Sequence, residues 1–214
     1  MSAERIAVFG GGGFAREVAW LGEACGREIV CFIDDDAGKV GSTLNDVPIL
    51  SLDECAERFP GIAVAAGIGS PGTRQSVMDR VLARGLQWCS LIHPRVERSR
   101  WITIGSGVVV CAGNILTTNI TVGDQVQINL DCTIGHDVRL DDYATLAPGV
   151  HVSGAVHIGR HAYLGTGAAV INGTQHQPLI IGAGAVVGAG ACVTRSVDPG
   201  VTVVGVPARP LGQR

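Results

Sequence analysis

A histidine followed directly by an aspartate occurs in the segment Ile134-Gly135-His136-Asp137. Imidazoles ordinarily titrate near a pKa of about 6.5, so His136 suits abstraction of a proton from an amine or alcohol at neutral pH. Asp137 could orient the ring and stabilise its imidazolium form. We therefore predict a general-base dyad at His136 and Asp137. The alternative is a surface histidine without a role.

A second candidate site is the glycine-rich segment from Gly10 to Ala15, which follows a short apolar stretch at Arg5–Phe9. A glycine-rich turn between a strand and a helix offers backbone N–H groups and a helix amino terminus to a phosphate. Gly10-x-Gly12-x-x-Ala15 fits a relaxed dinucleotide fingerprint, and Asp34 follows at about the spacing of a ribose-binding acid. A tight turn without a ligand, and a solvated acidic loop at Asp34–Asp36, are the alternatives.

The elements expected around this turn alternate between strand and helix. We predict strands at Arg5–Phe9, Glu28–Ile33, Ile62–Ala66 and Gln87–Ile92, and helices from the glycine-rich turn to about Cys25, over 52–58 and over Pro71–Gly85. Such alternation predicts a parallel α/β, Rossmann-like domain over residues 1–93. Four strands make little more than one mononucleotide half, so we expect one nucleotide or nucleotide-linked ligand rather than NAD.

The elements around His136 follow a six-residue repeat. Fifteen aliphatic residues keep this spacing, with one break: Ile104, Val110, Leu116, Val122, Ile128, Ile134, Leu140, Leu146, Val152, Ile158, Leu164, Val170, Ile181, Val187 and Val193. If these residues are position one, position five is apolar in thirteen of the fifteen repeats, so both positions should point inward. Position two is glycine in seven repeats, which predicts a positive φ there.

Neither helices nor ordinary strands repeat every six residues, whereas stacked coils do. Three six-residue faces make one coil of eighteen residues, and the pattern resembles the left-handed parallel β-helix of hexapeptide-repeat proteins. We assign this domain to residues 94–214. His136 occupies position three, which points outward, and the same position one coil on is Gly154. We expect Gly154 to leave an open shelf beside the imidazole, and the break at Asn172–Ile180 to form a loop.

Composition excludes several other functions. A net charge of −3 gives no electrostatic case for nucleic acid or an anionic membrane. Two long stretches, Trp101–Gly123 and Gln175–Thr194, contain no charged residue. Both carry glycine on the six-residue repeat, so we expect no membrane span. Seven scattered cysteines and no signal-peptide pattern predict a cytoplasmic protein. The γ-type carbonic anhydrases, which share this solenoid, need two histidines five residues apart. The near pairs here, His151/His157 and His157/His161, are six and four apart, so we expect no metal.

Four features occur together in this sequence: the glycine-rich turn, the segment Phe32-Ile33-Asp34-Asp35, the dyad within hexapeptide repeats, and the closing run Val204–Pro210. Their combination resembles the bacterial sugar acyltransferases. These include PglD-like nucleotide-aminosugar N-acetyltransferases and NeuD-like sialic acid O-acetyltransferases. The resemblance covers essentially the whole chain. It implies acetyl-CoA as the donor, a nucleotide-linked sugar as the acceptor, a homotrimer and a role in polysaccharide biosynthesis.

The resemblance also implies roles for individual residues. His136 matches the base, and Asp137 matches the acid that raises its basicity. The substrate contacts correspond to Gly12, Gly13, Asp34, Asp35 and Asn129, and the acetyl-CoA contacts to Thr145, Gly154, Thr166 and Gly184. Phe14 stands where members acting on nucleotide 4-aminosugars commonly have histidine, and phenylalanine has no hydrogen-bond donor for a phosphate or sugar.

Three functions are therefore open. We expect acetyl transfer from acetyl-CoA to an amino group of a nucleotide-linked sugar, or less readily to a hydroxyl, by direct attack with His136 as base. The alternatives are a sialic-acid-type sugar O-acetyltransferase and a non-enzymatic trimeric scaffold that binds a nucleotide. The sequence names neither the acceptor sugar nor its nucleotide.

Overall fold

The computed structural model describes residues 4–212. Residues 1–3 and 213–214, at the ends of the two predicted domains, lie outside it. The first residues of the terminus in which we expect no signal peptide are therefore outside the described part. The chain divides into two compact units, Met1–Pro94 and Arg95–Arg214. Among the described residues, no helix has the length and apolarity needed to cross a membrane.

The first unit is built around a sheet with helices between its strands. Its elements are β1 (Glu4–Phe9), α1 (Gly13–Ala24), β2 (Arg27–Ile33), β3 (Thr43–Leu44), β4 (Val47–Leu50), α2 (Leu52–Arg58), β5 (Ala63–Ala66), α3 (Pro71–Ala83), β6 (Gln87–Trp88) and β7 (Leu91–Ile92). The sheet order is β3-β4-β2-β1-β5-β6, with β4, β2, β1, β5 and β6 parallel. The central strand β1 is apolar over Ile6–Phe9 and fully buried.

Local sequence explains most of these boundaries. A capping box starts α2: the Ser51 hydroxyl accepts from the Glu54 N–H, and the Glu54 carboxylate accepts from the Ser51 N–H. Two details differ from the prediction. The expected strand Gln87–Ile92 is interrupted between β6 and β7. The antiparallel pair β3–β4 was not predicted, and it turns at Asn45 and Asp46, which have φ of 47° and 63°.

The second unit is a β-helix whose strands stack in three sheets. Its strands are β8 (Glu97–Arg98), β9 (Ile102–Ile104), β10 (Val109–Val110), β11 (Ile115–Leu116), β12 (Ile120–Val122), β13 (Gln127–Ile128), β14 (Thr133–Ile134), β15 (Arg139–Leu140), β16 (Thr145–Leu146), β17 (His151–Val152), β18 (Val156–Ile158), β19 (Tyr163–Leu164), β20 (Ala169–Val170), β21 (Leu179–Ile181), β22 (Val186–Val187), β23 (Cys192–Val193), β24 (Thr202–Val204) and β25 (Arg209–Pro210).

Each sheet forms one face of the β-helix. The first face contains β10, β13, β16, β19, β22 and β24, the second contains β8, β11, β14, β17, β20 and β23, and the third contains β9, β12, β15, β18 and β21. We call the turns from first to second face the first edge, from second to third the second edge, and from third to first the third edge. Among the described strands of this unit, β25 alone runs antiparallel, beside β24.

The predicted eighteen-residue coil is confirmed by the strand register. Val109 pairs with Gln127, and Thr133 pairs with His151. After the loop between β20 and β21 the offset becomes 23, as in His157 with Ile180, because five residues leave the coil at the second edge. The aliphatic residues at position one are buried in every repeat except that of Ile104, which is half-buried. The repeat therefore supplies a continuous apolar core.

The predicted role of the position-two glycines is wrong. Positive φ falls on position four, where thirteen of the fifteen repeats have φ between 55° and 78°, glycine or not. The position-two glycines lie outside that region and are required by packing. A Cβ on Gly135 would lie 2.7 Å from the Gly154 nitrogen, and one on Gly159 would lie 2.7 Å from the Ala183 nitrogen. The next coil thus stacks directly on these Cα atoms.

Candidate active site

The His136–Asp137 dyad forms at the second edge. Nδ1 of His136 lies 2.8 Å from Oδ2 of Asp137, and both side chains are about half exposed or more. Oδ1 of Asp137 accepts a hydrogen bond from Asn119 Nδ2 at 3.3 Å, one coil earlier. With Nδ1–H donating to the carboxylate, the ring presents the Nε2 lone pair to a ligand. This geometry supplies an oriented base.

Backbone stacking holds the dyad in place. The Asp137 N–H donates to the Thr118 carbonyl, and the His136 carbonyl accepts from the Ala155 N–H at 2.9 Å. Asp137 has φ of 58°, one of the position-four residues that turn the coil. Aspartate tolerates this left-handed conformation better than most side chains. The same residue therefore turns the chain and orients the imidazole.

The open shelf expected beside His136 is not present. The imidazole itself lies over Gly154: a Cβ there would be 2.5 Å from His136 Nε2, 2.6 Å from Cε1 and 2.9 Å from Cδ2. The predicted stacking of the two residues is correct, because Gly154 follows His136 by one coil at the same edge. The missing side chain makes room for the ring rather than for a ligand. Gly154 thus fixes where the base sits.

The electrostatics of the dyad favour an ionised aspartate. The hydrogen bond from His136 lowers the pKa of the Asp137 carboxyl below its usual value, and the Asn119 amide lowers it further. At neutral pH Asp137 is therefore a carboxylate that accepts a hydrogen bond from the ring nitrogen.

The remaining predicted residues of this unit are not brought to the same edge. Asn129 and Thr166 lie at the first edge, between strands of the first and second faces. Thr145 lies on the first face and is buried, and Gly184 turns the chain at the third edge. Of the four predicted acetyl-CoA contacts, Gly154 is the one that shares the second edge with His136 and Asp137.

The glycine-rich turn forms a separate cleft in the first unit, of about 320 Å³. It is lined by Gly10, Gly11, Gly12, Asp34 and Asp35, together with residues after β5. Gly10 has φ of 121°, which requires glycine. A Cβ on Gly11 would lie 2.5 Å from Asp34 Oδ2, so this acid packs on the turn. The cleft thus combines the turn with the acids that end β2.

The amino terminus of α1 is open in this cleft. Gly12 is the N-cap residue and supplies no side-chain cap, and no acidic residue lies in the first turn. Gly12 and Gly13 are exposed, and Phe14 is half-buried in the first turn. Uncapped N–H groups at a helix start suit a phosphate.

Both predicted acids carry a basic partner. Asp34 Oδ2 lies 3.1 Å from Lys39 Nζ, and its Oδ1 accepts from the Asp36 N–H. Asp35 forms a two-point pair with Arg80, with both N–O distances 2.7 Å, and this pair lowers the pKa of the Asp35 carboxyl. The acids are therefore fixed before a ligand binds, which argues against a purely solvated loop.

The opposite wall of the cleft was not predicted from the sequence. Gly67, Ile68 and Thr73 line it from the β5–α3 connection. A Cβ on Gly67 would lie 2.7 Å from the Ala15 Cα, so this glycine lets the two turns approach. The fully buried Arg74 donates to the carbonyls of Ile68 and Gly69 at 3.0 and 3.1 Å. The sequence feature that could have predicted this wall is Gly67-x-Gly69, which directly follows β5.

Among residues 4–212, no group of three or more histidine, cysteine, aspartate or glutamate side chains could hold a metal ion.

Comparison with known proteins relates this arrangement to sugar acetyltransferases. Residues 5–81 match the PglD N-terminal domain family. The chain is 33% identical over 211 residues to GDP-perosamine N-acetyltransferase of Escherichia coli O157:H7, which covers 95% of each protein.

Two solved structures are similar over nearly the whole chain. One is a histidine-to-asparagine mutant of perosamine N-acetyltransferase from Caulobacter crescentus in complex with CoA and GDP-perosamine, with a TM-score of 0.88, 31% identity and 97% of both chains covered. The other is the acetyltransferase domain of PglB from Neisseria gonorrhoeae FA1090 in complex with acetyl coenzyme A. Its TM-score is 0.86 at 30% identity, over 98% of this chain and all of that domain.

Proposed function

The chain belongs to the PglD-type sugar acetyltransferases with hexapeptide repeats, and on that premise we propose that it transfers the acetyl group of acetyl-CoA to the amino group of a nucleotide-linked sugar. The observation that carries the proposal is the His136–Asp137 pair, which is held in one orientation over Gly154 at an exposed edge of the β-helix.

His136 acts as the general base. The acceptor nitrogen attacks the thioester carbonyl carbon while Nε2 of His136 takes a proton from that nitrogen. The tetrahedral intermediate collapses, the C–S bond breaks, and the CoA thiolate receives the proton from His136. Asp137 accepts from Nδ1–H throughout and stabilises the transient imidazolium. A backbone N–H near Gly154 stabilises the oxyanion.

Cys132, four residues before His136 in the sequence, is a poor nucleophile, which supports direct transfer. Cys132 is fully buried, and its Sγ lies 3.3 Å from the Ala147 carbonyl oxygen. Burial raises the pKa of the Cys132 thiol to about 11, so little thiolate exists at neutral pH. An acyl-cysteine intermediate is therefore not part of the mechanism.

The first unit binds the nucleotide. Its sheet order and its glycine-rich turn support a Rossmann-like half-site, with the diphosphate at the start of α1 and Asp34 and Asp35 toward the ribose. The similar enzymes named for GDP-perosamine make a GDP-linked amino sugar the first acceptor to test. Phe14 offers no hydrogen bond, so backbone groups of Gly12 and Gly13 take this role.

The donor contacts support a homotrimer of left-handed β-helices. Apart from Gly154, the acetyl-CoA residues Thr145, Thr166 and Gly184 lie on a face or edge other than that of His136. A ligand bound at the second edge of one β-helix contacts only the two faces that meet there. Thr145, Thr166 and Gly184 therefore serve a site that a second copy of the chain completes. Asn129 at the first edge contacts the acceptor in the same way.

We place this reaction in the cytoplasm, where acetyl-CoA is available and thiols stay reduced, and all seven cysteines are free in the structure.

The testing experiment measures CoA release and acetylated product with UDP-, GDP- and dTDP-linked amino sugars and with sialic acid. Wild-type protein should acetylate a nucleotide-linked amino sugar, and His136→Asn should lose about 10²–10⁴-fold in kcat while still binding acetyl-CoA. Turnover of sialic acid alone would establish the O-acetyltransferase alternative. Failure to bind acetyl-CoA by calorimetry would favour the scaffold.

A further inference from the structure

One charged side chain lies on the apolar face of α3. Val77, Met78 and Val81 are buried, and they follow Arg74 at the i+3, i+4 and i+7 spacings of a single helix face. Arg74 is itself fully buried. Burial of a guanidinium is unfavourable unless hydrogen bonds compensate for the lost water, whereas an aliphatic side chain would fill this space without that penalty. The placement of Arg74 therefore indicates a role other than packing.

Arg74 holds the connection between β5 and α3. Its Nη1 donates hydrogen bonds to the Ile68 carbonyl at 3.0 Å and to the Gly69 carbonyl at 3.1 Å. Its backbone N–H donates to the Ser70 carbonyl at 2.8 Å, in the first turn of α3. Hydrogen bonds from a charged donor are stronger than those between neutral groups. One residue therefore fixes three successive carbonyls of the connection.

The connection that Arg74 holds is the wall of the cleft opposite the glycine-rich turn. Gly67 and Ile68 line that cleft. The Gly67 N–H donates to the Phe9 carbonyl at 2.8 Å, and a Cβ on Gly10 would lie 2.9 Å from the Gly67 carbonyl oxygen. The end of β1 and the glycine-rich turn therefore fix the start of this wall, and Arg74 fixes the residues that follow.

The direction of these carbonyls decides which backbone groups the wall presents. The peptide bonds of the wall are trans, and the C=O and N–H of a trans peptide point in opposite directions. Because the Ile68 and Gly69 carbonyls point at Arg74, the N–H groups of Gly69 and Ser70 point away from it. Among residues 4–212 the Ser70 N–H has no hydrogen-bond acceptor. Backbone N–H groups attract phosphate oxygens, whereas carbonyl oxygens repel them.

We propose that Arg74 is a positioning residue for the nucleotide of the acceptor: it turns the carbonyls of the wall away from the cleft, so that the wall meets the nucleotide with N–H groups. Because Arg74 is fully buried, it acts through the backbone and does not touch the ligand. This inference rests on the proposed function in one respect, since it takes the cleft as the nucleotide site. Without Arg74 the two carbonyls lose their donor and are free to turn toward the nucleotide.

The test compares Arg74→Met with wild-type protein. Methionine suits the apolar face of α3, and replacing a buried charge by an apolar side chain often leaves stability unchanged or raises it. Calorimetry with whichever of GDP, UDP and dTDP the wild type binds should give a Kd about 10-fold higher for the variant, the effect of losing the hydrogen bonds that orient the wall. The KM for the nucleotide-linked acceptor should rise by a similar factor, and the KM for acetyl-CoA should not change.

Val81→Ala is the matched control, because Val81 is fully buried on the same face of α3, two turns beyond Arg74. It should lower the thermal midpoint and leave the nucleotide Kd and both KM values unchanged. Arg74→Lys is the partial rescue, because an ammonium can donate to the same carbonyls without the planar geometry of a guanidinium. Its Kd should lie between those of the wild type and Arg74→Met. An unchanged Kd in folded Arg74→Met, or equal weakening in Val81→Ala, would show that Arg74 serves packing alone.

A second measurement uses wild-type protein and so does not depend on the folding of a variant. Isotope-labelled protein is titrated with the same nucleotide and followed by amide NMR. The signals of Gly69 and Ser70 should shift, whereas that of Gly61, in an exposed turn outside the cleft, should not. Absence of these shifts, or binding of none of the three nucleotides, would overturn the role of Arg74. If the wild type binds a nucleotide but acetylates no nucleotide-linked amino sugar, the proposed function alone fails, and the Kd values still decide the role of Arg74.

Discussion

Gly154→Ala should impair catalysis by displacing the imidazole of His136. The added Cβ would lie 2.5 Å from Nε2, whereas ordinary contacts begin near 3.4 Å, so the ring edge must move by about 0.9 Å. The backbone at Gly154 lies outside the left-handed region, so alanine itself is not strained there. A misplacement of about 1 Å typically costs about 10²-fold in rate, or about 2.7 kcal/mol of transition-state stabilisation. We therefore expect kcat to fall about 100-fold.

The assay is steady-state CoA release with both substrates varied, together with thermal unfolding. Gly72→Ala is the control, because Gly72 lies in α3 and its added Cβ would meet nothing within 4 Å. A fall in kcat with little change in the KM for acetyl-CoA is expected. Normal kcat with a raised KM for acetyl-CoA would mean that Gly154 only contacts the donor, and full activity would refute the reasoning.

Four further outcomes follow from the same structure. Asp137→Asn should lower kcat roughly 10-fold or more from pH 6 to 9, because the lowered pKa of Asp137 keeps it ionised there; its pairing with His136 is lost only as the pH falls through that value. Variant kcat values equal to those of the wild type across this pH range would contradict this role. Ser51→Ala should cost about 1 kcal/mol in urea unfolding. The Ser51 N–H and, after it, the Ser51 hydroxyl lower the pKa of Glu54, and alanine keeps the N–H but loses the hydroxyl. The hydroxyl's share of the difference is therefore present above the ordinary glutamate pKa of about 4.3 and disappears as the pH falls through the lowered value; a pH-independent difference would be contrary evidence. Gly159→Ala should destabilise the β-helix by about 1–3 kcal/mol, since its Cβ would meet the Ala183 nitrogen at 2.7 Å, and an unaltered midpoint would argue against that contact. Cys132→Ala should keep kcat within about 3-fold, whereas complete loss of turnover in a folded variant would point to an acyl-cysteine.

The β-helix could be predicted from the sequence because its geometry repeats with the chain. Nearly every six-residue repeat has apolar side chains at positions one and five, so the period of six and the outward direction of His136 follow directly. The positive φ at position four was missed since residues as different as Gln125, Tyr143 and His161 occupy it. Packing between coils holds these residues in that conformation, and no single residue type signals it.

The geometry around His136 could be predicted only in part. Gly154 was correctly placed beside His136, yet the ring fills the expected shelf because imidazole rotamers depend on the Asp137 hydrogen bond. The wall formed by Gly67 and Ile68 was missed because it meets the glycine-rich turn through tertiary packing. The hairpin turn at Asn45 and Asp46 lacks the glycine that usually marks such turns.

The central claim is best tested by mass analysis of one reaction mixture. Purified protein is incubated with acetyl-CoA and a GDP-linked amino sugar, in parallel with His136→Asn protein. We predict one added acetyl group on the sugar nitrogen, an equal amount of free CoA thiol, and almost no product with the variant. Undiminished acetylation by His136→Asn, or no acetylation of any nucleotide-linked amino sugar by wild-type protein, would contradict it.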